Sequence, residues 1–106
     1  MVARAKVPEQ VERGVPFKVR TLIDHVMENG ERIGPDGAKV PRHIIHRFVC
    51  RFGEDVLVDL ALGPSVSQDP YLEFDVAVER SGVLRLEWHD DDGTVTRLDR
   101  RVEASG

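Results

Sequence analysis

Short runs in which apolar and polar residues alternate fill the chain from residue 42 to residue 102, and turn residues separate them. The clearest run covers residues 44–52, where two arginines lie on one face. The apolar residues on its other face are Ile44, Phe48, Cys50 and Phe52. Because successive side chains of a strand point to opposite sides, the run predicts a β-strand with one buried face.

The same pattern predicts about seven strands, and no stretch between them has helical spacing. The predicted strands cover residues 2–7, 15–24, 44–52, 56–62, 72–78, 84–88 and 95–102. In the fourth, alternate residues from Val56 through Leu60 to Leu62 are expected on a buried face. Short strands with a turn signal every 8–12 residues are typical of an immunoglobulin-like β-sandwich. We therefore predict one all-β domain over residues 1–106.

Residues 25–41 interrupt this pattern with three glycines and two prolines. In Pro35-Asp36-Gly37, proline presets φ and glycine supplies a positive φ, so a turn is expected there. The segment is interpreted as a long loop or irregular hairpin, and long ordered loops are often functional.

Some positions on the outer faces of the predicted strands are apolar. Ile45, Val49, Leu57 and Val83 lie opposite the main apolar stripe of their strands. Two interpretations stay open: loops of the same chain cover these residues, or a partner protein does, since contiguous exposed apolar patches mark interfaces.

Composition excludes several classes of function. The 106 residues carry 15 Lys and Arg against 19 Asp and Glu, a formal net charge of −4, without a basic stripe for nucleic acid. No apolar run approaches the roughly 20 residues that span a bilayer. The first residues contain no apolar core of a secretory signal, so the sequence alone predicts either a cytoplasmic protein or export by another route.

Reactive groups are few. Three adjacent carboxylates in Asp90-Asp91-Asp92-Gly93 point in different directions, and Asp-Gly between two strands favours a hairpin turn over a metal site. The four histidines and Cys50 match the ligand count of the iron centre of superoxide reductase. However, His43 and His46 fall on opposite faces of a strand, and Cys50 occupies an apolar position that favours a core thiol. We predict no catalytic residues, no metal and no cofactor.

Several motifs taken together in order resemble the SoxZ family, and the resemblance covers nearly the whole chain. The motifs are residues 20–25 with Met27, Glu28 and Gly30; Asp36-Gly37; residues 41–45 with Arg47, Phe48 and Cys50; residues 69–74; and Trp88 with residues 90–93.

This resemblance implies a function in bacterial sulfur oxidation. It implies that the chain forms an immunoglobulin-like sandwich and pairs with SoxY in the carrier complex SoxYZ. SoxY carries sulfur intermediates on a cysteine near its C-terminus and presents them to other periplasmic Sox enzymes during thiosulfate oxidation. The resemblance therefore implies a non-catalytic subunit of a heterodimer in the periplasm, exported together with a signal-bearing partner.

The residues expected at the partner interface combine the long loop with the apolar outer positions. They are His25, Met27, Glu28, Ile45, Val49 and Leu57. Two other hypotheses stay open. One is a mononuclear iron redox enzyme that uses the histidines and Cys50. The other is a self-associating immunoglobulin-like module, and a SoxZ-like chain without its partner could also form a homodimer.

Overall fold

The computed structural model describes residues 2–24, 33–39, 43–62 and 71–106. Those residues form eight strands and no helix, so the predicted all-β class is confirmed. The strands are β1 (Val2–Lys6), β2 (Gln10–Glu12), β3 (Phe17–Asp24), β4 (Ile45–Phe52), β5 (Asp55–Ala61), β6 (Tyr71–Val76), β7 (Gly82–Asp90) and β8 (Val95–Ser105). Accordingly, no helix in these ranges is long and apolar enough to cross a membrane.

The strands form two sheets that pack face to face as a sandwich. The smaller sheet has the order β1-β3-β6, and the larger has the order β2-β8-β7-β4-β5. All strand pairs are antiparallel except β2 with β8, where Gln10 lies beside Glu103 in a parallel ladder. The sequence pattern did not predict β2, because a strand of three residues shows almost no alternation.

The core lies between the sheets and follows the predicted apolar stripes. Phe48 of β4 is fully buried, and its ring centroid lies 5.4 Å from Trp88 of β7 and 5.6 Å from Phe74 of β6. The aromatic contacts therefore connect β6 of the small sheet to the centre of the large one. Trp88 Nε1 is buried and has no hydrogen-bond partner among the described residues.

A β-bulge at the start of β4 changes which side Ile45 faces. Ile45 lies opposite Asp90, whereas Arg47 lies opposite His89, so two steps along β4 match one step along β7. The extra residue reverses the alternation, and Ile45 joins the buried core with Phe48. The expectation that Ile45 lies on an exposed outer face is therefore wrong.

The larger sheet extends beyond the smaller one at β5. Five strands cannot all be covered by three, and β5 is the outermost strand on its side. Leu60, opposite Phe48, is 40 % exposed at this edge, whereas Leu62 just after the strand is buried. Val56 is 50 % exposed because the register shift between Cys50 and Arg51 places it beside Arg51 on the outer face. The prediction of a buried face through Val56 and Leu60 is therefore wrong for these two residues.

Turn chemistry follows the sequence closely. Gly37 has a φ of 81°, and Ile33 and Lys39 form an isolated antiparallel bridge around the turn. The Asp36 carboxylate accepts a hydrogen bond from the Ala38 backbone N–H at 3.1 Å. The turn predicted at Pro35-Asp36-Gly37 is confirmed, and it closes a small irregular hairpin.

Candidate functional site

Cys50, the single cysteine of the chain, lies at the centre of β4 and is fully buried. Its neighbours across the strand ladders are Leu86 on β7 and Val58 on β5. Burial disfavours the thiolate and raises the pKa of Cys50 to about 12. The thiolate is the reactive form, so this side chain is inert near neutral pH. The prediction of a core thiol is confirmed.

The Asp90-Asp91-Asp92-Gly93 segment forms the predicted turn between β7 and β8. Gly93 has a φ of 88°, which favours glycine. The Asp90 carboxylate accepts a hydrogen bond from the backbone N–H of Asp92 at 2.9 Å, and Asp92 accepts one from the N–H of Thr94 at 2.8 Å. Hydrogen bonds from Thr94, first from its side chain and then from its backbone N–H, hold the pKa of the Asp92 carboxyl down at about 2.

The structure brings His43 to this turn, a contact that the sequence did not indicate. His43 Nε2 lies 2.9 Å from Asp90 Oδ1 and 3.6 Å from Asp92 Oδ2. The three side chains offer ligand atoms within 4.8 Å of one another, which by donor type could hold a divalent cation. Because the two carboxylates also accept backbone N–H groups, hydrogen bonding already accounts for this arrangement.

The histidines of the described segments pair with carboxylates. His46 Nδ1 lies 3.2 Å from Asp91 Oδ1, and His89 Nε2 lies 3.4 Å from Glu87 Oε1. The metal-competent group at His43 does not include Cys50. His25 lies outside the described residues. The described histidines thus give no support to an iron centre built with the thiol.

The outer face of the large sheet is a network of ion pairs around Glu87. This carboxylate is mostly buried and lies 3.3 Å from Arg51 Nε and 3.6 Å from Arg97 Nε. Burial by itself would raise the pKa of Glu87, but hydrogen bonds with Arg51 and His89 and their charges outweigh it and lower that pKa. The sheet face therefore presents charge to its surroundings.

Val49 lies within this network, on the outer face as the alternation predicted, and is fully buried by its own chain. Its neighbours across the ladders are Glu87 and Asp59, and Arg47 and Arg51 flank it along β4. Long arginine side chains cover apolar surface with their methylene groups while their charged ends stay in water.

The remaining predicted interface residues have different outcomes. Leu57 lies at a register shift between β4 and β5, is half-buried and packs against the core, so its own chain covers part of it. Val83 is exposed, as predicted. His25, Met27 and Glu28 lie outside the described residues. A role for any of these residues in partner binding stays a prediction.

Fold and site together define an immunoglobulin-like sandwich whose single thiol is closed off in the core. Residues 4–99 match the family model described as "Sulphur oxidation protein SoxZ". The match covers most of the chain, so this protein belongs to the SoxZ family and is a sulfur-oxidation protein. The resemblance inferred from the sequence motifs is confirmed.

Solved structures with the same fold include a superoxide reductase, the neelaredoxin of Ignicoccus hospitalis. It has a TM-score of 0.73 and 19 % identity, and the alignment covers 99 % of this chain and 81 % of that one. A single-residue variant of that protein gives a TM-score of 0.73 over 97 % of this chain and 79 % of that chain. At this identity the likeness shows the fold alone. Among curated proteins, no sequence match is found.

Proposed function

We propose that this protein is the non-catalytic subunit of a SoxYZ sulfur carrier complex. It binds SoxY, whose C-terminal cysteine carries the sulfur intermediates of thiosulfate oxidation to the other Sox enzymes. The observation that carries the proposal is the state of Cys50. A protein that holds sulfur covalently needs an accessible thiolate, and this chain has one thiol, buried and with a raised pKa. The sulfur is therefore carried by another polypeptide.

The exposed strand β5 fits the partner interface best among the described residues. It is the outermost strand of the large sheet and exposes Val56 on one face, beside Arg51, and Leu60 on the other, beside Phe48. An edge strand leaves backbone N–H and C=O groups ready to pair with a strand of another chain. We propose that SoxY pairs with or packs against β5, the strand that contains Leu57.

Co-purification of co-expressed, tagged SoxY with variants of this chain tests the proposal. We expect Val56→Asp combined with Leu60→Asp to abolish co-purification, because a partner strand paired along β5 would have to cover a charge on each face of the strand. The matched control is Val83→Asp, which puts a charge at another exposed valine and should leave the complex intact. Far-UV circular dichroism of each lone variant checks folding.

Two results would contradict this proposal in separate ways. If the unmodified chain does not bind SoxY at all, the carrier assignment fails. If it binds SoxY and the double variant still does, only the assignment of β5 fails. Met27→Asp then tests the expected contribution of the segment containing His25, Met27 and Glu28.

The proposed location is the periplasm, reached together with a partner that carries the export signal. Cell fractionation tests it. This protein should appear in the periplasmic fraction when co-expressed with signal-bearing SoxY and should stay in the cytoplasm when the SoxY signal is deleted. A cytoplasmic location in both strains would contradict the proposal.

A further inference from the structure

A cleft of about 720 Å³ opens where the chain passes from the small sheet to the large one. Its walls are the end of β1 with the following connection, the outer side of β3, and the second half of β8. Five cationic side chains line it. They are Lys6, Lys18, Arg20, Arg100 and Arg101.

The charge of the cleft is opposite to that of the molecule. The whole chain has a formal net charge of −4, yet among the described residues two carboxylates, Glu9 and Glu103, line the cleft beside its five cations. A concave site with walls of low dielectric constant concentrates such a field and raises the local concentration of anions. The charge of the cleft therefore favours anions, in contrast to the net charge of the whole chain.

Ion pairs within the chain neutralise part of this positive charge. Lys18 Nζ lies 2.7 Å from Glu73 Oε1 on the outer face of β3 and β6. Arg101 Nε donates a hydrogen bond to Glu103 at 2.8 Å. Arg20 lies 3.9 Å from the same Glu73 carboxylate, a longer and weaker contact. These three residues contribute less to ligand binding than their number suggests.

Lys6 and Arg100 have no carboxylate partner within the described segments, and they belong to different sheets. Arg100 is half-buried, and its Nη1 donates to the Asp99 backbone oxygen at 2.9 Å, which leaves other N–H groups of the guanidinium for a ligand. A guanidinium and an ammonium on different walls suit an anion that offers oxygens in several directions.

We propose that this cleft binds a tetrahedral sulfur oxyanion between Lys6 and Arg100. The ligand is either free sulfate or thiosulfate, or the sulfonate end of a group carried by the partner. Sulfur oxidation generates oxyanions of this class, and the choice of sulfur among tetrahedral anions rests on the proposed function. The presence of an anion site rests on the charges of the cleft alone.

NMR titration of the isolated chain with sodium thiosulfate and sodium sulfate tests this proposal, with sodium chloride at matched ionic strength as the reference. We expect saturable shifts of amides around Lys6 and Arg100 with the two oxyanions and not with chloride. Lys6→Gln and Arg100→Gln should each raise Kd by about fivefold, the loss of one exposed ion pair. Lys39→Gln removes a charge elsewhere and should leave Kd unchanged.

A variant that gains affinity guards against misfolding as an explanation. Glu9→Gln removes a carboxylate from the cleft and should lower Kd by about two- to fivefold, through weaker repulsion of the anion. The proposal would be overturned if Lys6→Gln and Arg100→Gln lost binding while Glu9→Gln did not gain affinity. It would also be overturned if chloride bound as tightly as the two oxyanions.

A short glycine-rich peptide with an S-sulfonated cysteine distinguishes the two sources of the ligand. Tighter binding of this peptide than of thiosulfate, weakened by Lys6→Gln, supports a group carried by the partner. Tighter binding of thiosulfate supports a free anion. Preferential binding of a glutamate-rich peptide would overturn the proposal in favour of an acidic protein segment. Because SoxY is absent from these titrations, their failure is distinct from failure of the carrier assignment.

Discussion

The surroundings of individual side chains decide which reactive groups of this protein can react. Cys50 is chemically a nucleophile, but packing between β5 and β7 makes it a small apolar residue. Asp92 is chemically an ordinary surface carboxylate, but the turn around it supplies hydrogen bonds that stabilise its charge. Each environment leads to a measurable prediction.

Modification of Cys50 should require unfolding. At about pH 8 we expect a thiol reagent to react with the native chain at least about 100-fold more slowly than with the chain in guanidinium, because burial removes both the thiolate and access to it. Absorbance with a chromogenic disulfide measures both rates. A native rate close to that of the unfolded chain would mean that the thiol is accessible.

Protonation of Asp92 should destabilise the β7–β8 turn in acid. Its pKa falls from 3.8 to about 2 on folding, so the unfolded chain binds the proton more tightly. The stabilisation is therefore complete above about pH 4 and is lost as the pH falls toward 2. Thermal unfolding of the native chain and of Asp92→Asn across this range measures it. The variant keeps an oxygen that accepts the Thr94 N–H, and its midpoint should fall less steeply; parallel curves would contradict the prediction.

At the scale of elements, the bulge in β4 and the short extent of the small sheet sort apolar residues into buried and exposed. Ile45 and Val56 are both β-branched residues near strand ends, and sequence alternation places Ile45 outside and Val56 inside. The structure does the reverse. The cause is non-local in each case: a register shift against β7 for Ile45, and for Val56 a register shift against β4 that places it beside Arg51 on the outer face.

The two residues should respond differently to truncation. Ile45→Ala is expected to lower the free energy of unfolding by about 2–4 kcal/mol, because it leaves a cavity in the core. Val56→Ala should change it by less than about 1 kcal/mol. Urea denaturation followed by tryptophan fluorescence reports both values through Trp88. Equal effects would show that Ile45 is not packed in the core.

At the scale of the whole molecule, unequal sheets leave β5 as an uncovered edge. The same arrangement brings the end of β1 next to β8 and so forms the cationic cleft. The apolar edge and the cleft are thus separate surfaces, one with exposed aliphatic residues and one with positive charge. Because of this separation, the partner interface and the anion site that we propose would not compete with each other.

Without SoxY, the isolated chain should form a homodimer through the β5 edge that we propose as the partner interface. Leu60→Lys adds a charge to the exposed edge and should shift the protein toward monomer, since charged edge residues oppose strand pairing. Sedimentation velocity at several concentrations measures this, and Val83→Lys is the matched control. Added SoxY should replace the homodimer with a heterodimer. A homodimer unaffected by Leu60→Lys would place its contact elsewhere.

Much of the fold could be predicted because its signals are local. Alternation predicted β3, β4, β6, β7 and β8, and glycines marked turns that the structure contains, such as Gly37 and Gly93. The parallel pairing of β2 with β8 could not be predicted, because three residues carry too little pattern. The approach of His43 to Asp90 could not be predicted either, since 47 positions separate them along the chain.

The sequence by itself determined the all-β class, the turns, the family and the core position of Cys50. These depend on neighbouring residues, through two-residue alternation and the backbone preferences of Gly and Pro. Only the tertiary structure decided that Ile45 and Val49 are buried, that Leu60 is exposed, and that Lys6 and Arg100 line one cleft. Those outcomes depend on which strands pair, in which register, and on how far three strands can cover five.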